Sequence, residues 1–128
     1  MSDMTRAQAI ELGELIDVSD CGRMVGFEWP LAITRQAFEL CVVWTKADNR
    51  RKGRPPQTQD QRLRDVVVMA AMHIRDLKRA EITTRIEYQV AHCPRDSRRG
   101  DLITHLVVVV EAGDDGAKAL TIKLLHET

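Results

Sequence analysis

Residues 82–90 read Ile82-Thr83-Thr84-Arg85-Ile86-Glu87-Tyr88-Gln89-Val90. Apolar and polar side chains alternate there, the period-two pattern of a strand with one covered and one wet face. Before this stretch the period is helical. Leu63, Val67, Ala70, Ile74 and Leu77 form one stripe over about 60–79, and Val66, Val68, Met69 and Met72 widen it almost all the way round. A helix apolar on most sides packs between other elements. After the strand, 93–101 reads as a polar turn. Leu102 to Ala112, with Val107-Val108-Val109-Val110 at its centre, reads as a strand apolar on both faces and is expected to be the middle one. Gly113-Asp114-Asp115-Gly116 marks a hairpin, and Ala119 to Leu125 supplies the third strand.

Upstream, Thr5 and Gln8 have capping-box spacing before a short helix that Gly13 closes. Leu15-Ile16-Asp17-Val18 is extended, and Ser19 caps a second short helix through Arg23 and Met24 that Gly26 closes. Pro30 bends the chain after Phe27-Glu28-Trp29. Thr34 caps a third helix whose apolar face holds Ala37, Phe38, Cys41, Val42 and Trp44. The expected architecture is therefore one α+β domain over 1–128. It has short N-terminal helices and one long central helix packed on a three-stranded antiparallel β-meander, with 49–60 as a flexible basic loop.

The 128 residues are 44% hydrophobic and 30% charged, which argues against a disordered chain or a disulfide scaffold and suits a domain with its own core. The longest apolar run, Val66 to Met72, is far too short to span a bilayer. The three cysteines, Cys21, Cys41 and Cys93, lie apart among apolar neighbours and read as reduced, partly buried small hydrophobes, so a cytoplasmic setting is expected.

Net charge is zero, but it is unevenly spread. Residues 1–48 carry −4, residues 49–100 carry +7 and residues 101–128 carry −3. The basic residues concentrate in Arg50, Arg51, Lys52 and Arg54, and again in Arg95, Arg98 and Arg99. Loop cations of this kind suit an acidic protein surface or phosphates. No aromatic residue is interleaved to stack bases, so a protein partner is expected ahead of nucleic acid. The alternative is a nucleic-acid-binding module that uses 50–54.

Four histidines, at 73, 92, 105 and 126, lack the clustered spacing of a zinc site. His92 and Cys93 are strand neighbours that point to opposite faces and make no thiol–base pair. No phosphate-loop, dinucleotide, nucleophile-elbow or zincin motif occurs. No cofactor, metal or catalytic residue is expected, and the chain reads as a non-enzyme. An enzyme would need a pocket gathering distant polar groups, such as His92, His105 and Tyr88. The aromatics are expected in the core, with Trp29 at its bend as the one candidate anchor for a partner. A free sheet edge would also allow a homodimer.

Several stretches together resemble an uncharacterised family of small proteins carried by phages, plasmids and other bacterial mobile elements. They are Thr5-Arg6 with Ala9, Gly13 to Ser19, Gly26-Phe27, Pro30 to Arg35, Arg62 to Val66, and the final Gly-Asp-Asp-Gly hairpin. Relatives often carry bulky residues where this chain has Arg64 and Val68. The resemblance implies a bacterial accessory protein that binds another macromolecule, in some cases one that modulates host defence, and it assigns no activity or catalytic residue.

Overall fold

The computed structural model describes residues 4–52, 57–76, 85–95 and 102–127, and the backbone alone of 51, 52, 75 and 76. The elements run α1 (Arg6–Glu11), β1 (Leu15–Asp17), α2 (Ser19–Met24), β2 (Leu31–Thr34), α3 (Arg35–Cys41), α4 (Lys46–Lys52), α5 (Gln59–Asp76), β3 (Arg85–His92), β4 (Leu102–Ala112) and β5 (Lys118–Leu124), then a 3₁₀ turn at Leu125–Glu127. Residues 77–79 of the expected long helix and 82–84 of the expected strand lie outside the described residues.

Two local start signals work as the sequence implies, while Ser19, expected as the cap of the second helix, is instead the first residue of α2, whose N-cap Val18 makes no side-chain cap. Thr5 and Gln8 close a reciprocal capping box on α1, and Gly13 follows with φ +81°, a conformation that suits glycine. The Thr34 side chain accepts from the Ala37 amide and caps α3.

The sheet differs from the expected meander. It has five strands in the order β1-β2-β5-β4-β3 and is mixed, because β2 pairs in parallel with β5 while every other pair is antiparallel. Its centre is therefore β5, not β4. The missing piece is Leu31-Ala32-Ile33-Thr34, which follows Pro30 and runs straight into the α3 cap. All four residues are buried, so no alternation betrays a strand. The pairs Leu31↔Leu120, Ala32↔Thr121 and Ile33↔Ile122 then join the N-terminal elements to the C-terminal hairpin.

The second departure is the basic loop. Residues 49–52 of the expected loop 49–60 belong to α4 (Lys46–Lys52), and residues 53–56 of it lie outside the described residues. Thr45 and Asp48 act as a capping box: Asp48 Oδ2 accepts from Thr45 N (2.9 Å), and Asp48 N donates to Thr45 Oγ1 (3.2 Å).

One face of the sheet carries the core. Leu31, Ile33, Tyr88, Val90, Leu106, Val108, Leu120, Ile122 and Leu124 pack with Val66, Val67 and Ala70 of α5 and with Ala37 and Cys41 of α3. Val66 O accepts the buried Tyr88 hydroxyl at 3.2 Å, which satisfies the one polar atom that ring brings inside. On the other face, Arg6 of α1 donates to Thr121 Oγ1 (2.7 Å) and to Leu120 O (2.5 Å). The Asp114 carboxylate in the β4–β5 turn accepts from Arg6 N (2.8 Å) and Ala7 N (2.9 Å), pinning α1 to the hairpin. Among the described residues the sheet ends in the three-residue β1 on one side and the eight-residue β3 on the other. No helix of the described residues is long and apolar enough to cross a membrane.

Candidate functional site

The first of the basic segments and the start of the second meet at one end of the sheet. Arg95 follows directly on the end of β3, and its Nε donates to Asp48 Oδ2 at 2.9 Å. Asp48 is 1% exposed. Burial alone would raise its carboxyl, but the Thr45 hydrogen bonds and the Arg95 charge outweigh it and hold it below the ordinary value of 3.8. One buried carboxylate thus caps α4 and fastens the hairpin to it.

Beside this pair lies a buried arginine at the start of the long helix. Arg62, in the first turn of α5, is 4% exposed. Its Nε donates to Val42 O (3.1 Å), and Nη1 donates to Gln57 Oε1 (3.1 Å) and Cys93 O (3.0 Å). The guanidinium carbon sits 4.5 Å from the centroid of the Trp44 ring, a cation–π contact. Among the described residues Nη2 has no hydrogen-bond partner and no carboxylate lies within ion-pair distance of Arg62. Burial presses the guanidinium below its usual value and Arg95 adds to this, while Cys93, Cys41 and Asp48 act the other way.

A further set of bonds closes the base of the basic segment. Trp44 Nε1 donates to Asn49 Oδ1 (2.7 Å), which also accepts from Gln57 N (2.8 Å), while Asn49 Nδ2 donates to Gln57 O (3.0 Å). Residues 49 and 57 are thereby tied together, and the chain between them leaves from a fixed base. Of the expected contact residues, Arg50 is exposed on α4 and Arg95 is half-buried in its pair with Asp48. Arg51 and Lys52 lie on α4, with only their backbone described. Arg54, Arg98 and Arg99 lie outside the described residues. The signals missed in the sequence were Thr45-x-x-Asp48 and the polar residues Asn49 and Gln57 flanking the charges.

Two clefts lie elsewhere. One, of about 470 Å³, is lined by Met69, His73, Glu87, Tyr88, Gln89 and His105. It brings His105 and Tyr88 together but leaves out His92, whose Nε2 bonds Thr104 Oγ1 (2.7 Å). His73 Nδ1 faces the Met69 carbonyl at 2.9 Å, so that nitrogen carries the proton, and Tyr88 turns its hydroxyl to Val66 rather than to the cleft. The other cleft, of about 540 Å³, lies beside Trp29, Pro30 and the 113–119 turn. Trp29 is 42% exposed, with Lys118 Nζ 5.1 Å from its ring centroid, so this tryptophan is the aromatic that stands outside the core. The thiols of Cys21, Cys41 and Cys93 are free, the last two buried. Among the described residues no group of three His, Cys, Asp or Glu side chains is placed to hold a metal.

Comparison of the chain with protein-family models, curated proteins and solved structures finds no match, so the family resemblance stands as an expectation.

Proposed function

We propose that this chain is a non-enzymatic binding protein that holds an acidic surface of a protein partner through the face carrying α4 and Arg95. The observation that carries this reading is the Arg95–Asp48 pair, which brings Arg95 to α4, the helix that carries Arg50, across 47 residues of sequence. With a net charge of zero, the patch acts at short range, where a docked acidic surface feels it and a distant polyanion is screened.

Nucleic acid is the second reading, favoured by one detail: Arg95 uses only Nε on Asp48, leaving its Nη groups without a partner among the described residues. Fluorescence anisotropy separates the two. A labelled oligoglutamate peptide and labelled single- and double-stranded DNA and RNA are titrated at two salt concentrations, against a variant with Arg50, Arg51, Lys52 and Arg54 changed to Ala. Peptide binding that the variant loses supports a protein partner. Oligonucleotide binding that weakens steeply with salt supports nucleic acid. No binding of either at low salt overturns the proposal.

A further inference from the structure

We infer that the junction of α4, α5 and the end of β3 is a binding site for a tetrahedral oxyanion of the phosphate class, received by Arg62 and Arg95 where Gln57 now lies. The site is distinct from the exposed cations of α4 and does not depend on which macromolecule they meet.

The argument is one of charge and of unused donors. Arg95 is paired with Asp48, which both Thr45 donors also hold, while Arg62 feels the Asp48 charge without pairing to it. Arg62 also sits in the first turn of an 18-residue helix, the positive end of its dipole, where a cation is disfavoured and an anion is welcome. The Cys41 thiol, which faces Arg62, supplies no counter-charge, because burial pushes it up to about 11. Among the described residues the cluster therefore holds two guanidiniums and one carboxylate, a costly state for a buried charge.

The donors point the same way. Val42 O and Cys93 O take Nε and one proton of Nη1, Trp44 covers a ring face, and Nη2 has no partner. The only neutral side chain among the acceptors is Gln57 Oε1. Gln57 is only partly buried, so its amide can swing aside while its backbone stays tied to Asn49. An oxyanion entering there meets Nη1 and Nη2 of Arg62 as a two-pronged donor, the arrangement guanidinium offers phosphate. Arg95, whose charge bears on Arg62 and whose Nη groups have no partner among the described residues, is the second donor assigned to the oxyanion.

The test uses the intact chain with ¹⁵N labelling. Inorganic phosphate and dimethyl phosphate are titrated at constant ionic strength against sodium chloride, following the Arg Nε–H resonances and the melting temperature. Phosphate is expected to move the Arg62 resonance saturably and, at ten times its Kd, to raise Tm by about 5 °C. Tighter binding of inorganic phosphate assigns the site to free phosphate or a monoester, while equal or tighter binding of dimethyl phosphate assigns it to a phosphodiester. The decisive variant is Gln57→Glu, which places a built-in carboxylate on Arg62. It is expected to melt higher than the parent in chloride and to lose the phosphate response. Gln57→Ala, which clears the entrance, is expected to keep or strengthen it. Identical Tm and unmoved Arg62 resonances in phosphate and chloride overturn the inference. So does a phosphate response that survives Gln57→Glu unchanged, because the anion would then sit on surface cations alone.

Discussion

Asp48 and Arg95 are joined by a 2.9 Å hydrogen-bonded ion pair in which the carboxylate is buried and the guanidinium only partly so. The same oxygen caps α4 through Thr45, so one atom serves both a local and a long-range contact. Asp48→Ala removes both and is expected to cost about 2–4 kcal/mol. Arg95→Ala, which leaves the cap intact, is expected to cost about half as much. Urea unfolding of the two variants and their double mutant measures the coupling, and additivity would show that the pair contributes nothing beyond its parts.

The same carboxylate sets an acid limit. Asp48 is held below its ordinary 3.8 in the folded state, burial being outweighed by Thr45 and Arg95, and Asp17 is held low by the Ser19 hydroxyl. A depressed folded value means that the stabilisation is fully present above the unfolded value and is lost as pH falls through the folded one. The urea midpoint is expected to be level from pH 7 to about 5 and to drop below about pH 4. Asp48→Asn is expected to lower the plateau and flatten the drop.

Asn49 is the hub between Trp44 and Gln57. Asn49→Ala leaves the Trp44 indole N–H and the Gln57 amide without their acceptor, at a cost of about 1–3 kcal/mol. It also unties the base of the basic segment. Limited trypsin digestion is expected to cut after Arg50, Arg51 or Lys52 several-fold faster than in the parent, while cleavage elsewhere changes only in step with global stability.

Thiol chemistry reads the core directly. Cys41 is buried and its thiol is raised to about 11, because burial outweighs the charge of Arg62. A chromogenic disulfide reagent at pH 7.5 is expected to titrate Cys21 first and to reach Cys41 and Cys93 only at the rate of global unfolding.

Ile33 is fully buried in β2 and pairs with Ile122 at the centre of the sheet. Ile33→Ala is expected to cost about 3–5 kcal/mol, by lost burial plus the cavity left behind. A loss under about 1 kcal/mol by urea unfolding would contradict the parallel β2–β5 pairing.

What could be read beforehand follows from which signals are local. The caps at Thr5 and Thr34, the turn at Gly113–Gly116 and the bounds of β4 are written in adjacent residues and emerge in the structure. The strand β2 was not legible, because four residues covered on both faces lose the alternation that marks a strand. The Arg62 site was hidden for a different reason. An arginine among Gln61, Leu63 and Arg64 looks like a wet helix end, and only tertiary contacts with Val42, Trp44 and Cys93 bury it. Arg50 and Arg95 were singled out as cations, yet nothing in their spacing says that Asp48 brings the two segments together.

The parallel pairing of β2 with β5 also dictates the order of assembly. β5 is the middle of the sheet, so without it the β1–β2 and β3–β4 pairs share no backbone hydrogen bonds and each leaves a strand edge open. The sheet is therefore expected to close only once β5 has formed its pairs on both sides, and pairings this far apart in sequence fold slowly.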